Sequence, residues 1–123
     1  MSIENVILSI DFISALYEED YGKMSEKLFL GADINYEEQL ALRIAVQNNN
    51  MNLVKFLIDN DISLENRKVF EDAVLNEHFQ IADYLLEKNN DLYKSFNQIL
   101  LNACHYGKRN IIDYYFYQTL EEN

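Results

Sequence analysis

Leu42-Arg-Ile-Ala45-Val46-Gln-Asn-Asn-Asn-Met51-Asn-Leu53-Val54-Lys-Phe56-Leu57-Ile58-Asp59-Asn-Asp61 is followed along the chain by Phe70-Glu-Asp-Ala73-Val74-Leu-Asn-Glu-His78-Phe79-Gln-Ile81-Ala82-Asp-Tyr84-Leu85-Leu86-Glu87-Lys-Asn89-Asn-Asp91-Leu92. At a shift of 28 residues the two stretches agree in apolar character at nearly every position that a pair of short antiparallel helices would bury. Leu42, Ala45 and Val46 fall at i, i+3 and i+4, as do Phe70, Ala73 and Val74, so each trio forms one helical stripe. The alanine in mid-stripe lets two helices approach closely. Val54, Leu57 and Ile58, matched by Ala82, Leu85 and Leu86, repeat the spacing in a second helix, with Lys55 and Asp83 pointing outward. Between the helices lie Asn48-Asn49-Asn50 and Asn76-Glu77-His78, polar turns of residue types that tolerate unusual backbone angles or cap a helix start.

The same template finds weaker copies centred on Ala15 and Ala103, so the alanines are spaced by 30, 28 and 30 residues. A small residue recurring at this period marks stacked helical hairpins, each needing neighbours to bury its apolar face. In the first copy Phe12, Ala15 and Leu16 make the first stripe and Met24 and Leu28 the second, with Lys23 and Lys27 at places that are apolar in the second copy. In the last, Leu100, Ala103 and Cys104 precede Ile111, Ile112, Tyr115 and Phe116, and Arg109 replaces an apolar Met51 or Phe79. Polar intrusion at both ends is what solubilising caps require, and the array is expected to stop where the chain stops. Ile3, Val6, Ile7 and Ile10 continue a helical stripe and suggest an N-terminal extension of the first helix capped by Ser2, while Glu121 to Asn123 are expected to fray.

A length of 123 residues suits one domain, and 49% hydrophobic residues with nine Tyr and seven Phe argue against disorder. The absence of Pro and the presence of only three Gly favour helix. No apolar run approaches the roughly 18 residues that span a bilayer, and no secretory signal begins the chain, so a cytoplasmic, intracellular protein is expected. Cys104 cannot form an internal disulfide and sits where the repeat wants a small buried residue, so it reads as a core cysteine. A net charge of −11 argues against direct binding of nucleic acid or an anionic membrane, and favours a neutral or basic partner.

These residues resemble the ankyrin repeat family. Gly31-Ala-Asp-Ile-Asn35 matches its Gly-Ala-Asp turn outright, Leu42-Arg-Ile-Ala-Val46 and Met51-Asn-Leu-Val-Lys-Phe-Leu-Ile58 match its two helices, Asn89-Asn-Asp-Leu92 is a degenerate turn, and Ala103-Cys-His-Tyr-Gly107 keeps the inter-helix glycine. The resemblance covers roughly residues 10 to 118. It implies an all-α, ankyrin-like solenoid of about four helix-turn-helix repeats, over residues 1–35, 36–65, 66–94 and 95–123. No repeat has the family's Thr-Pro helix start, and the period is 28 to 30 residues in place of about 33. The missing residues fall where the family places its β-hairpin fingers, so these are expected to be short or absent after Asp61 and Asn89. The resemblance further implies a non-enzymatic module that binds a partner protein on its concave face. By alignment, the contact residues are Tyr17 and Glu18, Gln47 and Asn48, Leu75 and Asn76, and His105 and Tyr106, with the loop residues Asn35, Tyr36, Arg67 and Tyr93 nearby. Leu75 and Tyr106 would anchor such an interface unless they pack on a neighbouring repeat.

Catalytic chemistry finds no foothold in the sequence. His78 takes the place of the family's turn histidine and reads as a structural hydrogen-bonding group. Cys104 and His105 are adjacent on a helix and point apart. Zinc-ligand spacing, a P-loop and a dinucleotide fingerprint are all missing, so no cofactor, metal or enzyme activity is expected. The alternative function is an acidic inhibitor filling the nucleic-acid groove of a basic protein. Residues 1–38 hold nine acids (Glu4, Asp11, Glu18, Glu19, Asp20, Glu26, Asp33, Glu37, Glu38) against Lys23 and Lys27, a balance of −7. Residues 65–92 add seven acids against three bases, or −4, and the rest is neutral. The Asn-rich, Pro-free composition fits an AT-rich genome, as in many viruses and their hosts, and suggests a host-interaction or counter-defence role. The run Tyr114 to Tyr117 offers more aromatic surface than one helix face buries, which leaves a homodimer open.

Overall fold

The apolar stripes fold into helices that begin and end close to where the stripes do. The computed structural model describes residues 1–122, with side chains through Gln118. Its helices are α1 (Ile3–Tyr17), α2 (Tyr21–Leu30), α3 (Tyr36–Gln47), α4 (Met51–Asp59), α5 (Arg67–Leu75), α6 (Phe79–Lys88), α7 (Phe96–Tyr106) and α8 (Arg109–Glu122), with a 3₁₀ turn at Asn90–Ser95. No strand occurs among the described residues, so the fold is all-α and the hairpin fingers are absent. The fraying expected from Glu121 falls on side chains outside the described residues, as does all of Asn123.

One backbone motif ends every first helix. Glu19, Asn49, Glu77 and Gly107, each four residues after a template alanine, have left-handed φ values of 55°, 53°, 60° and 67°. Their N–H groups bond the carbonyls of Leu16, Val46, Val74 and Cys104, and the next N–H at Asp20, His78 and Lys108 reaches back to Ala15, Ala73 and Ala103 at 2.8–3.0 Å. This is the Schellman arrangement, which satisfies the last carbonyls of a helix and reverses the chain at once. The alanine is therefore both the close-packing residue and the acceptor that fixes the turn. The second helices α2 and α4 end the same way at Gly31 and Asp61, whereas α6 ends at Asn89 in extended backbone and passes into the 3₁₀ turn.

The chain divides into two compact units. One comprises residues 1–45 and 52–63. Ser2 caps α1 by accepting the N–H of Asn5, as expected. Phe12, Ala15 and Leu16 of α1 and Met24 of α2 are buried. Ser9, also buried, donates to the Asn5 carbonyl (2.7 Å) and accepts from the Asp33 N–H (2.8 Å), and the Asn5 amide donates to the Gly31 carbonyl (2.9 Å), so α1 holds the loop after α2. Tyr21 meets Phe56 edge-on at 5.1 Å. The start of α3 departs from helix, with Glu37, Glu38 and Gln39 all left-handed and Arg43 donating to the carbonyls of Glu37 and Glu38.

The other unit comprises residues 46–51 and 64 onward. Its core takes Val69, Phe70, Ala73 and Val74 from α5, Ile81, Ala82, Leu85 and Leu86 from α6, Leu92 from the 3₁₀ turn, Phe96, Ile99 and Ala103 from α7, and Ile111 and Tyr114 from α8. Phe96 is the hub, with ring contacts to Phe70, Tyr93, Tyr114 and Tyr115 at 5.5–6.0 Å.

Three expectations need correction. Cys104 is exposed. In α7 the buried residues are Phe96, Ile99 and Ala103, and no later described helix covers the flank that Val74 occupies in α5. On α8 Phe116 is exposed and Tyr114 buried, because Ile111, Tyr114 and Gln118 form the inward stripe. Ile3, Ile7 and Ile10 do extend α1 as helix, but they lie on its solvent side, opposite Phe12 and Leu16.

Candidate binding residues at the ends of the first helices

The residue two places after each template alanine lies about 200° around the helix from it, and the next residue sits at the helix end. The left-handed turn thus presents a pair of side chains outward at the same local place in each repeat. Tyr17 and Glu18 belong to the first compact unit, and Gln47 with Asn48, Leu75 with Asn76, and His105 with Tyr106 to the second. All eight are exposed. The two apolar anchors differ in degree: Leu75 is 41% exposed and Tyr106 71%. Both therefore face solvent within their unit.

Several of these residues already have local partners. Glu18 lies 3.7 Å from the Lys23 ammonium, an exposed pair worth little. The Asn76 amide donates to the Asp72 carbonyl of its own helix (2.8 Å). His105 and Tyr106 meet ring edge to face at 4.7 Å. Among the loop residues, the Asn35 oxygen accepts the Ser63 N–H (2.8 Å) and Tyr93 packs on Phe96, so these two hold the fold. His78 does what its place in the turn suggested. Its Nδ1 lies 2.8 Å from the Val46 carbonyl and so carries the proton that it donates.

A polar cluster escaped the sequence reading. Asp83 points outward, yet its Oδ1 accepts from the Tyr114 hydroxyl and from the Gln118 amide, each at 2.6 Å. Burial pushes the Tyr114 phenol well above its ordinary range, and the hydrogen bond and charge of Asp83 push it further, with a smaller push from Tyr93. The only sequence signal was the i, i+4 spacing of Tyr114 and Gln118. Phe79 stacks on the same tyrosine, centroids 4.4 Å apart and planes 16° from parallel. Among the described residues, no three of His, Cys, Asp and Glu converge as a metal ion would require, and no helix is long and apolar enough to cross a membrane.

A family model described as "Ankyrin repeats (3 copies)" matches residues 12–96, which takes in α1 to α6 and the 3₁₀ turn. The helices α7 and α8 lie beyond the match but share its left-handed turn, at Gly107. Neither the curated proteins nor the solved structures give a match.

Proposed function

The chain belongs to the ankyrin repeat family, and from that premise we propose that it is a non-enzymatic, intracellular module that holds a partner protein through the paired residues ending its first helices. Ankyrin repeats are in general protein-interaction modules. The observation that supports this assignment of residues is the exposure of all eight, with Leu75 and Tyr106 offering apolar and aromatic groups of the kind that anchor interfaces. Four repeats present these pairs, the last of them formed by α7 and α8.

A second reading has its own support in the charge distribution. Glu18, Glu19 and Asp20 are all exposed within a segment whose balance is −7, a patch that would steer a basic partner and block its nucleic-acid groove. Salt separates the two. Partner binding at the helix-end pairs is expected to change less than about threefold between 50 and 500 mM salt, because exposed charges add little to an apolar contact. A fall of about a hundredfold or more would reject it in favour of charge mimicry.

A further inference from the structure

Asn110, Asp113, Tyr114 and Tyr117 fall at i, i+3, i+4 and i+7 of α8 and so share one stripe. With Phe79 of α6 they line a shallow, mainly apolar hollow of about 430 Å³. The aromatic groups supply its surface, Phe79 lying flat on Tyr114 with Tyr117 one turn further along. Three carboxylates border it. Asp113 belongs to the lining, Asp83 is held by the Tyr114 hydroxyl, and Glu77 accepts from the Asn110 amide at 2.8 Å. Arg109 pairs with Asp113 at 3.1 Å, but the two side chains are 83% and 61% exposed, so the pair is weak and the field over the aromatic rings stays negative. None of the helix-end pairs takes part in this hollow.

Aromatic faces attract a cation, and surrounding carboxylates strengthen that attraction. An apolar lining, however, cannot replace the water that an unmodified ammonium binds through its three N–H groups. A methylated ammonium has fewer such groups to leave unsatisfied, and its methyls match the apolar lining. We propose that this hollow binds a methylated alkylammonium group, presented as the end of a trimethyllysine side chain on a partner protein. The proposal rests on the protein-binding reading only for the source of the cation.

The test uses the full chain and a small probe, so its outcome is independent of whether the helix-end pairs hold a protein. Nα-acetyl-trimethyllysine methylamide, its uncharged isostere with carbon in place of the quaternary nitrogen, and the unmethylated lysine amide are each titrated while the Phe79, Tyr114 and Tyr117 ring resonances are followed by NMR. The trimethyl cation is expected to shift these resonances saturably and to bind about tenfold or more tightly than either control, as a cation–π site requires. Asp113→Asn and Tyr117→Ala should each weaken it about threefold or more at an unchanged helical signal. Equal binding of the isostere would make the hollow merely apolar, equal binding of unmethylated lysine would make it a simple ion-pair site, and no saturable shift would leave it without a cation ligand. Each of these results overturns the proposal. Loss of partner capture in helix-end variants that still bind the probe would bear on the functional reading alone.

Discussion

At the residue scale, the turns depend on four positions that must take left-handed backbone, and only Gly107 announces this in its chemistry. Glu19, Asn49 and Glu77 accept the same geometry with a Cβ, which costs L-residues roughly 1–2 kcal/mol each, less for Asn. A Cβ placed on Gly107 meets nothing within 4 Å, so its replacement reports the backbone cost alone. Gly107→Ala is expected to lower stability by about 1 kcal/mol. Conversely, Glu19→Gly should raise it by several tenths to about 1 kcal/mol, the relief of strain being partly offset by the entropy that glycine adds to the unfolded chain. Urea titration of both variants checks the opposite signs. The alanine period was readable because packing demands a small residue there. The left-handed glutamates were not, because nothing in a Glu side chain marks its backbone angle.

At the scale of the elements, α5 and α8 make two distinct predictions. Ala73 is fully buried in mid-stripe and its carbonyl accepts the His78 N–H, so a larger side chain would push against both the core and the turn. Ala73→Leu is expected to cost about 1–3 kcal/mol, read as a lower thermal midpoint; an unchanged midpoint would show the stripe to be misassigned. On α8, the phenol of Tyr114 ionises at higher pH in the folded chain than in the unfolded one. A group with a raised folded pKa stabilises fully below its unfolded value and loses that contribution as pH rises past it. Stability should therefore begin to fall above about pH 10, and Tyr114→Phe should remove this component of the alkaline decline. Helix positions were legible from the 3.6-residue period, and so was the loss of the hairpin fingers, since a repeat shortened to 28–30 residues has no chain to build them. The buried face of α8 was misjudged by one residue. Four consecutive aromatics, Tyr114 to Tyr117, suit either face by composition, and only the contacts with Phe79, Phe96 and Asp83 select Tyr114. The left-handed run Glu37–Gln39 gave no signal either, because the partner that satisfies its carbonyls, Arg43, lies outside it in sequence.

For the whole molecule, the family was legible because one template recurs in register, and a stretch of 85 residues, 12 to 96, carries the match. The binding residues are a different matter. Their positions follow from the repeat, yet an exposed pair at a helix end is determined by the partner it meets, and that information is not in the chain. Charge alone would draw basic proteins to so acidic a molecule, at −11, without selecting among them. Selectivity must come from uncharged groups, of which Leu75 and Tyr106 are the largest at these positions. The most direct measurement compares capture from cell extract by the parent chain and by a Leu75→Ser, Tyr106→Ser variant of equal helicity, both washed at high salt and read by mass spectrometry. The parent is expected to retain a defined partner that the variant loses. A partner retained equally by both would contradict the assignment of binding to the ends of the first helices.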